Sequence, residues 1–128
     1  MASSKIIIEF VGVGAVEGEL HDKMSPKTYE AFLKKIPFKS EANTWGKEVY
    51  FSTPISISSE NGRKEVEVGD IGYWPPGRSM CLFFGPTPAS SGSRPVAASP
   101  VNLIGKITGK IELLEKVKDG VAITVRLA

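Results

Sequence analysis

The side chains with the widest chemical reach lie in the middle of the chain. Trp45, Tyr50, Phe51, Tyr73, Trp74 and Phe84 are interleaved there with Glu48, Asp70, Arg78, Arg94 and Asn102. Indole and phenol rings give apolar walls with a polar edge, which suits a pocket for a peptide or a small organic ligand. The candidate ligand-binding set is therefore Trp45, Glu48, Tyr50, Tyr73, Trp74, Arg78, Phe84, Arg94 and Asn102. The same residues also fit a plainer reading, in which the rings fill a core and the charges form surface ion pairs.

Other chemistries lack their residues. Gly12-Val13-Gly14 opens like a dinucleotide fingerprint, but Glu17 stands at the third glycine position and the following residues read as strand. No helix terminus then awaits a pyrophosphate. A Gly-Lys-Ser or Gly-Lys-Thr phosphate loop is absent. His21-Asp22 could orient an imidazole, yet no Gly-x-Ser-x-Gly supplies a nucleophile. A single histidine and a single cysteine exclude the common zinc sites. Cys81, inside the run Ser79-Met80-Cys81-Leu82-Phe83-Phe84, reads as buried core. Glu65 and Glu67 share a strand face and read as its solvated side. No catalytic residue, metal ligand or cofactor is assigned.

The elements that must position the candidate set are mostly strands. Lys5 to Val11 and Val13 to Leu20 form an opening hairpin around Gly12-Val13-Gly14. Ser25-Pro26 offers an N-cap hydroxyl and a first-turn proline. Tyr29, Phe32, Leu33 and Ile36 follow at helical spacing, and Pro37 ends the pattern. This predicts one short helix over about 25–35, a lid for a barrel mouth. Glu48 to Thr53 is a strand, and Pro54 to Val68 reads as a hairpin turning at Asn61-Gly62. That register sets Ile57 opposite Val66, Ile55 opposite Val68, and Glu60 opposite Arg63. A second hairpin turns at Pro76-Gly77, in the central positions of a type II turn, and brings Tyr73 and Trp74 near Ser79 and Met80.

From Pro86 to Pro100 the composition shifts to Pro, Ala, Ser and Gly, which predicts a structureless loop. Leu103, Gly105, Ile107, Gly109, Ile111 and Leu113 then share one face of a long strand, bent at its glycines. After a turn at Lys118-Asp119-Gly120, Val121 to Leu127 is the last strand. Many strands, one helix and no strand-helix repeat favour a closed antiparallel β-barrel in a single domain over residues 1–128.

Bulk properties agree. The chain is 41% hydrophobic and 23% charged with a formal charge of +2, ordinary globular usage. Its lysines are scattered and form no run that could track a phosphate backbone, so nucleic acid is not an expected partner. No apolar stretch approaches the roughly 20 residues that span a bilayer, and the apolar run Ile6-Ile7-Ile8 is too short for a signal-peptide core. A cytoplasmic protein, bound neither to membrane nor to nucleic acid, is the expectation. The absence of glutamine and the scarcity of asparagine and cysteine are compatible with a heat-adapted source.

Four stretches carry a resemblance: Trp45 to Pro54, Gly69 to Gly77, Leu82-Phe83-Phe84-Gly85-Pro86-Thr87-Pro88, and Val101-Asn102-Leu103-Ile104-Gly105. In combination the chain resembles the prokaryotic cyclophilin-like proteins, a family without an assigned activity, along nearly its whole length. The resemblance implies a closed β-barrel related in fold to peptidyl-prolyl isomerases. It does not imply their activity, because function belongs to sites. The isomerases carry an arginine followed shortly by a phenylalanine and a glutamine, and this chain has no glutamine. Three readings follow: a non-catalytic binding module at an aromatic-lined pocket, a divergent isomerase using Arg78 or Arg94, and a structural or interaction domain. The first is the leading expectation.

Overall fold

The computed structural model describes residues 2–128. β1 (Ser3–Phe10) and β2 (Gly14–His21) form the opening hairpin, in register from Ser3 opposite His21 to Phe10 opposite Gly14. Ile6, Ile8 and Phe10 alternate onto the buried face, as period-2 patterning requires. α1 (Pro26–Lys35) begins at its proline, carries Lys34 and Lys35 in its last turn, and buries Thr28, Tyr29 and Phe32. The Ser25 hydroxyl does not cap it. Glu60 does, from a distant loop: its carboxylate accepts hydrogen bonds from the Lys27 N–H at 3.0 Å, the Thr28 N–H at 2.9 Å and the Thr28 hydroxyl at 2.8 Å. A carboxylate at a helix N-terminus satisfies free N–H groups and complements the helix dipole.

The remaining strands are β3 (Phe38–Glu41), β4 (Asn43–Thr44), β5 (Glu48–Ser52), β6 (Arg63–Glu65), β7 (Asp70–Trp74), β8 (Ser79–Phe83), β9 (Val96–Gly109) and β10 (Ala122–Leu127). One antiparallel sheet results, in the order β3-β10-β1-β2-β9-β7-β8-β5-β4, with β6 paired to β9. The expected closed barrel is not formed by ladder hydrogen bonds: the path ends at β3 and β4. These two end strands are consecutive in the chain, with Ala42 alone between them. Among the described residues no helix is long and apolar enough to cross a membrane.

Alternation along the strands sorts side chains into two cores. Val49 and Phe51, Ile71 and Tyr73, and Met80 and Leu82 join Ile6, Ile8, Leu20, Ile123 and Val125 in the main core. Phe32 seals it, edge-on to Tyr73 at 5.8 Å between ring centroids. On the opposite face of β7 and β8, Cys81 and Phe83 form a smaller cluster with Val66, Ala97 and Val101. The functional question sits on that second face.

Several local expectations are corrected. No hairpin turns at Asn61-Gly62: residues 54–62 form no strand, and β6 pairs with β9 instead, Arg63 opposite Val101 and Glu65 opposite Val96. Asn61 takes a positive φ of 51° but Gly62 does not, and Val68 is exposed while Val66 is buried. The physical reason lies in side chains that replace a strand partner. The Tyr73 hydroxyl donates to the Ile55 carbonyl at 2.7 Å and accepts from the Ile57 N–H at 3.4 Å. Asn102 donates to the Ser58 carbonyl at 3.1 Å and accepts from the Glu60 N–H at 2.8 Å. With its backbone groups met this way, the segment needs no ladder.

At Pro75–Gly77 the chain makes a single 3-10 turn, and the left-handed residue is Arg78, with φ 49°, so the type II turn is not present. The register it was meant to produce is present, with Tyr73 opposite Met80 and Trp74 opposite Ser79. The expected loop over Pro86 to Pro100 is shorter, because β9 begins at Val96. At its far end β9 stops at Gly109, Lys110 turns with φ 62°, and Ile111–Lys116 is a 3-10 helix instead of strand. Register shifts against β2 and β7 break the single face that alternation predicts. Ile104 therefore joins the main core while Leu103 packs on the smaller one. Gly105 is required by close approach: a Cβ there would lie 2.2 Å from the Glu19 carbonyl oxygen of β2.

Candidate functional site

The second face holds a cavity of about 220 Å³. Its walls come from four elements. Trp45 precedes β5, Glu48 and Tyr50 lie on β5, Trp74 ends β7, and Cys81 sits on β8. Ala97, Ala98 and Val101 of β9 cover it from above.

Local structure explains each placement. β4 and β5 are joined by the two-residue loop Gly46-Lys47, closed by mutual backbone hydrogen bonds between Trp45 and Glu48 at 2.9 and 3.2 Å. Gly46 adopts φ 60°, and glycine at the first loop position is what such tight hairpins favour. This turn sets Trp45 opposite Glu48, and both line the cavity. Glu48 and Tyr50, two residues apart, share a face, and the register places Tyr50 opposite Cys81 and Cys81 opposite Gly72. Trp74 is held by a hydrogen bond from its Nε1 to the Ser99 Oγ at 2.6 Å. Gly77 leaves room for that indole, since a Cβ there would lie 2.5 Å from the ring.

Glu48 is 6% exposed and Cys81 is 2% exposed. Burial pushes the Glu48 carboxyl up to about 7, and a hydrogen bond with the Cys81 thiol only partly opposes this. Burial and the neighbouring Glu48 push the Cys81 thiol well above its ordinary range. It therefore stays a thiol, as its expected place in the core implies. The cavity is thus mostly apolar, ringed by aromatic side chains, with one acid poised near neutrality. Among the described residues no group of His, Cys, Asp and Glu is placed to hold a metal ion.

The model of the Cyclophilin-like family matches residues 4–126. The chain belongs to the Cyclophilin-like family. No curated protein matches the sequence. Among solved structures, this cyclophilin-like chain is similar to the solution structure of the hypothetical protein AF2241 from Archaeoglobus fulgidus. The two are 41% identical over 98% of this chain and 95% of the other, with a TM-score of 0.83.

Of the nine residues singled out in the sequence, this cyclophilin-like fold brings four to the cavity: Trp45, Glu48, Tyr50 and Trp74. The other five are placed elsewhere. Tyr73 points to the main core and Asn102 is fully buried, both bound to the 55–60 backbone. Burial pushes the Tyr73 hydroxyl up, against the Ile57 N–H bond and the Arg78 charge. Arg78 turns the chain, and its carbonyl accepts from the Thr53 N–H and hydroxyl, each at 2.8 Å. Phe84 packs on the main core beneath the Lys47 ammonium, 5.7 Å from the ring centroid. Arg94 pins β6, with ion pairs to Glu65 at 3.3 Å and Glu67 at 3.0 Å. Sequence reading missed Cys81, Ala97, Ala98 and Val101 as walls. The alternation of Cys81 with Leu82 across from Tyr50 carried the first of these; for the β9 residues, the small side chains of Ala97-Ala98 were the available signal.

Proposed function

We propose that this protein is a binding module that holds a small organic molecule, or one side chain of a peptide, in the cavity lined by Trp45, Glu48, Tyr50 and Trp74. The observation that carries the reading is one buried carboxyl, pushed up to about 7, inside an otherwise apolar aromatic cavity. A core built for stability alone gains nothing from an acid desolvated with a thiol as its hydrogen-bonding partner. A recognition site gains an orienting polar group on apolar walls. The volume suits a single ring or a branched alkyl group. Cys81 held as a thiol and both arginines placed away from the cavity favour binding over catalysis. Trp45 and Trp74 report directly on occupancy. Screened against amines, alcohols, acids and short proline-containing peptides, the protein should show a shift in tryptophan emission together with a raised thermal midpoint for at least one class. Trp45→Ala should abolish both. A panel that moves neither signal would defeat the proposal.

A further inference from the structure

Resting on the binding reading above, we infer that the cavity selects an organic cation: a protonated amine or ammonium group carried on a ring or a compact alkyl body. Three aromatic side chains, Trp45, Tyr50 and Trp74, line the cavity together with a single acid, Glu48. Aromatic ring faces are electron-rich and attract cations most strongly where water is excluded, and a carboxylate adds a direct ion pair. No lysine or arginine lines the cavity, so an anionic ligand would meet only the repulsion of Glu48 and the cost of losing its water.

The charges around the cavity either pair with other groups or, like Arg63 and Lys64 of β6, stand outside its lining. On β8, Cys81 is a buried thiol. Lys47, beside Glu48 in the turn, forms an ion pair with Glu115. Across Phe83, which lies opposite Glu48, Asp70 of β7 pairs with Lys106 of β9 at 3.2 Å. Arg94 is occupied by Glu65 and Glu67. Among the described residues Glu48 forms no ion pair, and a ligand that brings a cation supplies one.

Binding is then linked to protons. A cation lowers the carboxyl from about 7, so occupancy releases a proton below that pH and strengthens as pH rises through it. Benzylamine, benzyl alcohol and benzoate provide cationic, neutral and anionic probes of nearly one shape. By calorimetry, benzylamine should bind about tenfold more tightly than benzyl alcohol at about pH 8.5, and this advantage should shrink at about pH 5.5. Glu48→Gln should bring benzylamine down to the affinity the same variant shows for benzyl alcohol, at both pH values, and a cooperative thermal unfolding transition shows that the variant is folded. If the alcohol or benzoate matches benzylamine, or if the advantage does not depend on pH, the inference falls and the binding reading stands. If no probe binds, the inference falls, and the wider screen of amines, alcohols, acids and short peptides decides the binding reading.

Discussion

Glu48 is buried beside Cys81 in the cavity that Tyr50 and the tryptophans also line, and the work of desolvating it appears as a carboxyl raised to about 7. The unfolded chain returns it to its ordinary value of 4.5. Between these two values the native state holds a proton that the unfolded state has lost, so the residue's contribution to stability falls as pH rises and is fully unfavourable above about 7. Glu48→Gln cannot ionise. It should match the parent near pH 4 and exceed it at about pH 8 by an amount on the order of 3 kcal/mol, read from urea unfolding at both pH values. A variant no more stable at pH 8 than the parent would mean that water reaches the carboxylate. Asn102 and Tyr73 make the contrasting case: both carry polar groups suited to a ligand, and both spend them on the backbone of residues 55–60. Residue type alone did not distinguish the two roles.

Elements differ in how far their own sequence determines them. The opening hairpin, α1 and the β7–β8 register were legible because each joins neighbours in the chain through alternation or helical spacing, although the β7–β8 turn is a 3-10 turn and not the expected type II turn. The Asn61-Gly62 hairpin was equally legible and did not form, because Tyr73 and Asn102 compete for its backbone from more distant strands. Local turn chemistry yields where buried side chains satisfy the same groups. The helix cap follows the same rule, with Glu60 taking the role that local sequence assigned to Ser25. Burial alone would raise the Glu60 carboxyl, but the bonds from Lys27 and Thr28 and the Lys27 charge outweigh it and lower the carboxyl below its ordinary range. Its stabilisation is therefore present at neutral pH and lost as acid protonates it. Glu60→Ala should cost roughly 1–2 kcal/mol at pH 7 and little at pH 3, measured by paired denaturant titrations. Equal stability of both proteins at pH 7 would show that the long-range cap does not hold the helix.

At the scale of the molecule, one sheet serves two environments: its main face with α1 makes the core, and the other face of β5, β8 and β7 lies beneath β6 and β9. The cavity exists because β9 crosses that face with Ala97 and Ala98 where larger side chains would fill it. From the sequence, most of the longer strands and four of the site residues could be named, but not the short end strands β3 and β4, nor the face on which the site residues meet. That face depends on β9, whose register shifts lie between residues distant in the chain. The proposed site requires Glu48 to be desolvated among aromatic walls. The most direct test is a carbon-detected NMR titration of the Glu48 side-chain carboxyl in the ligand-free protein. The expected result is a midpoint near 7, far above the ordinary 4.5, moving downward when a cationic probe is added. A midpoint at 4.5 in the free protein would contradict it.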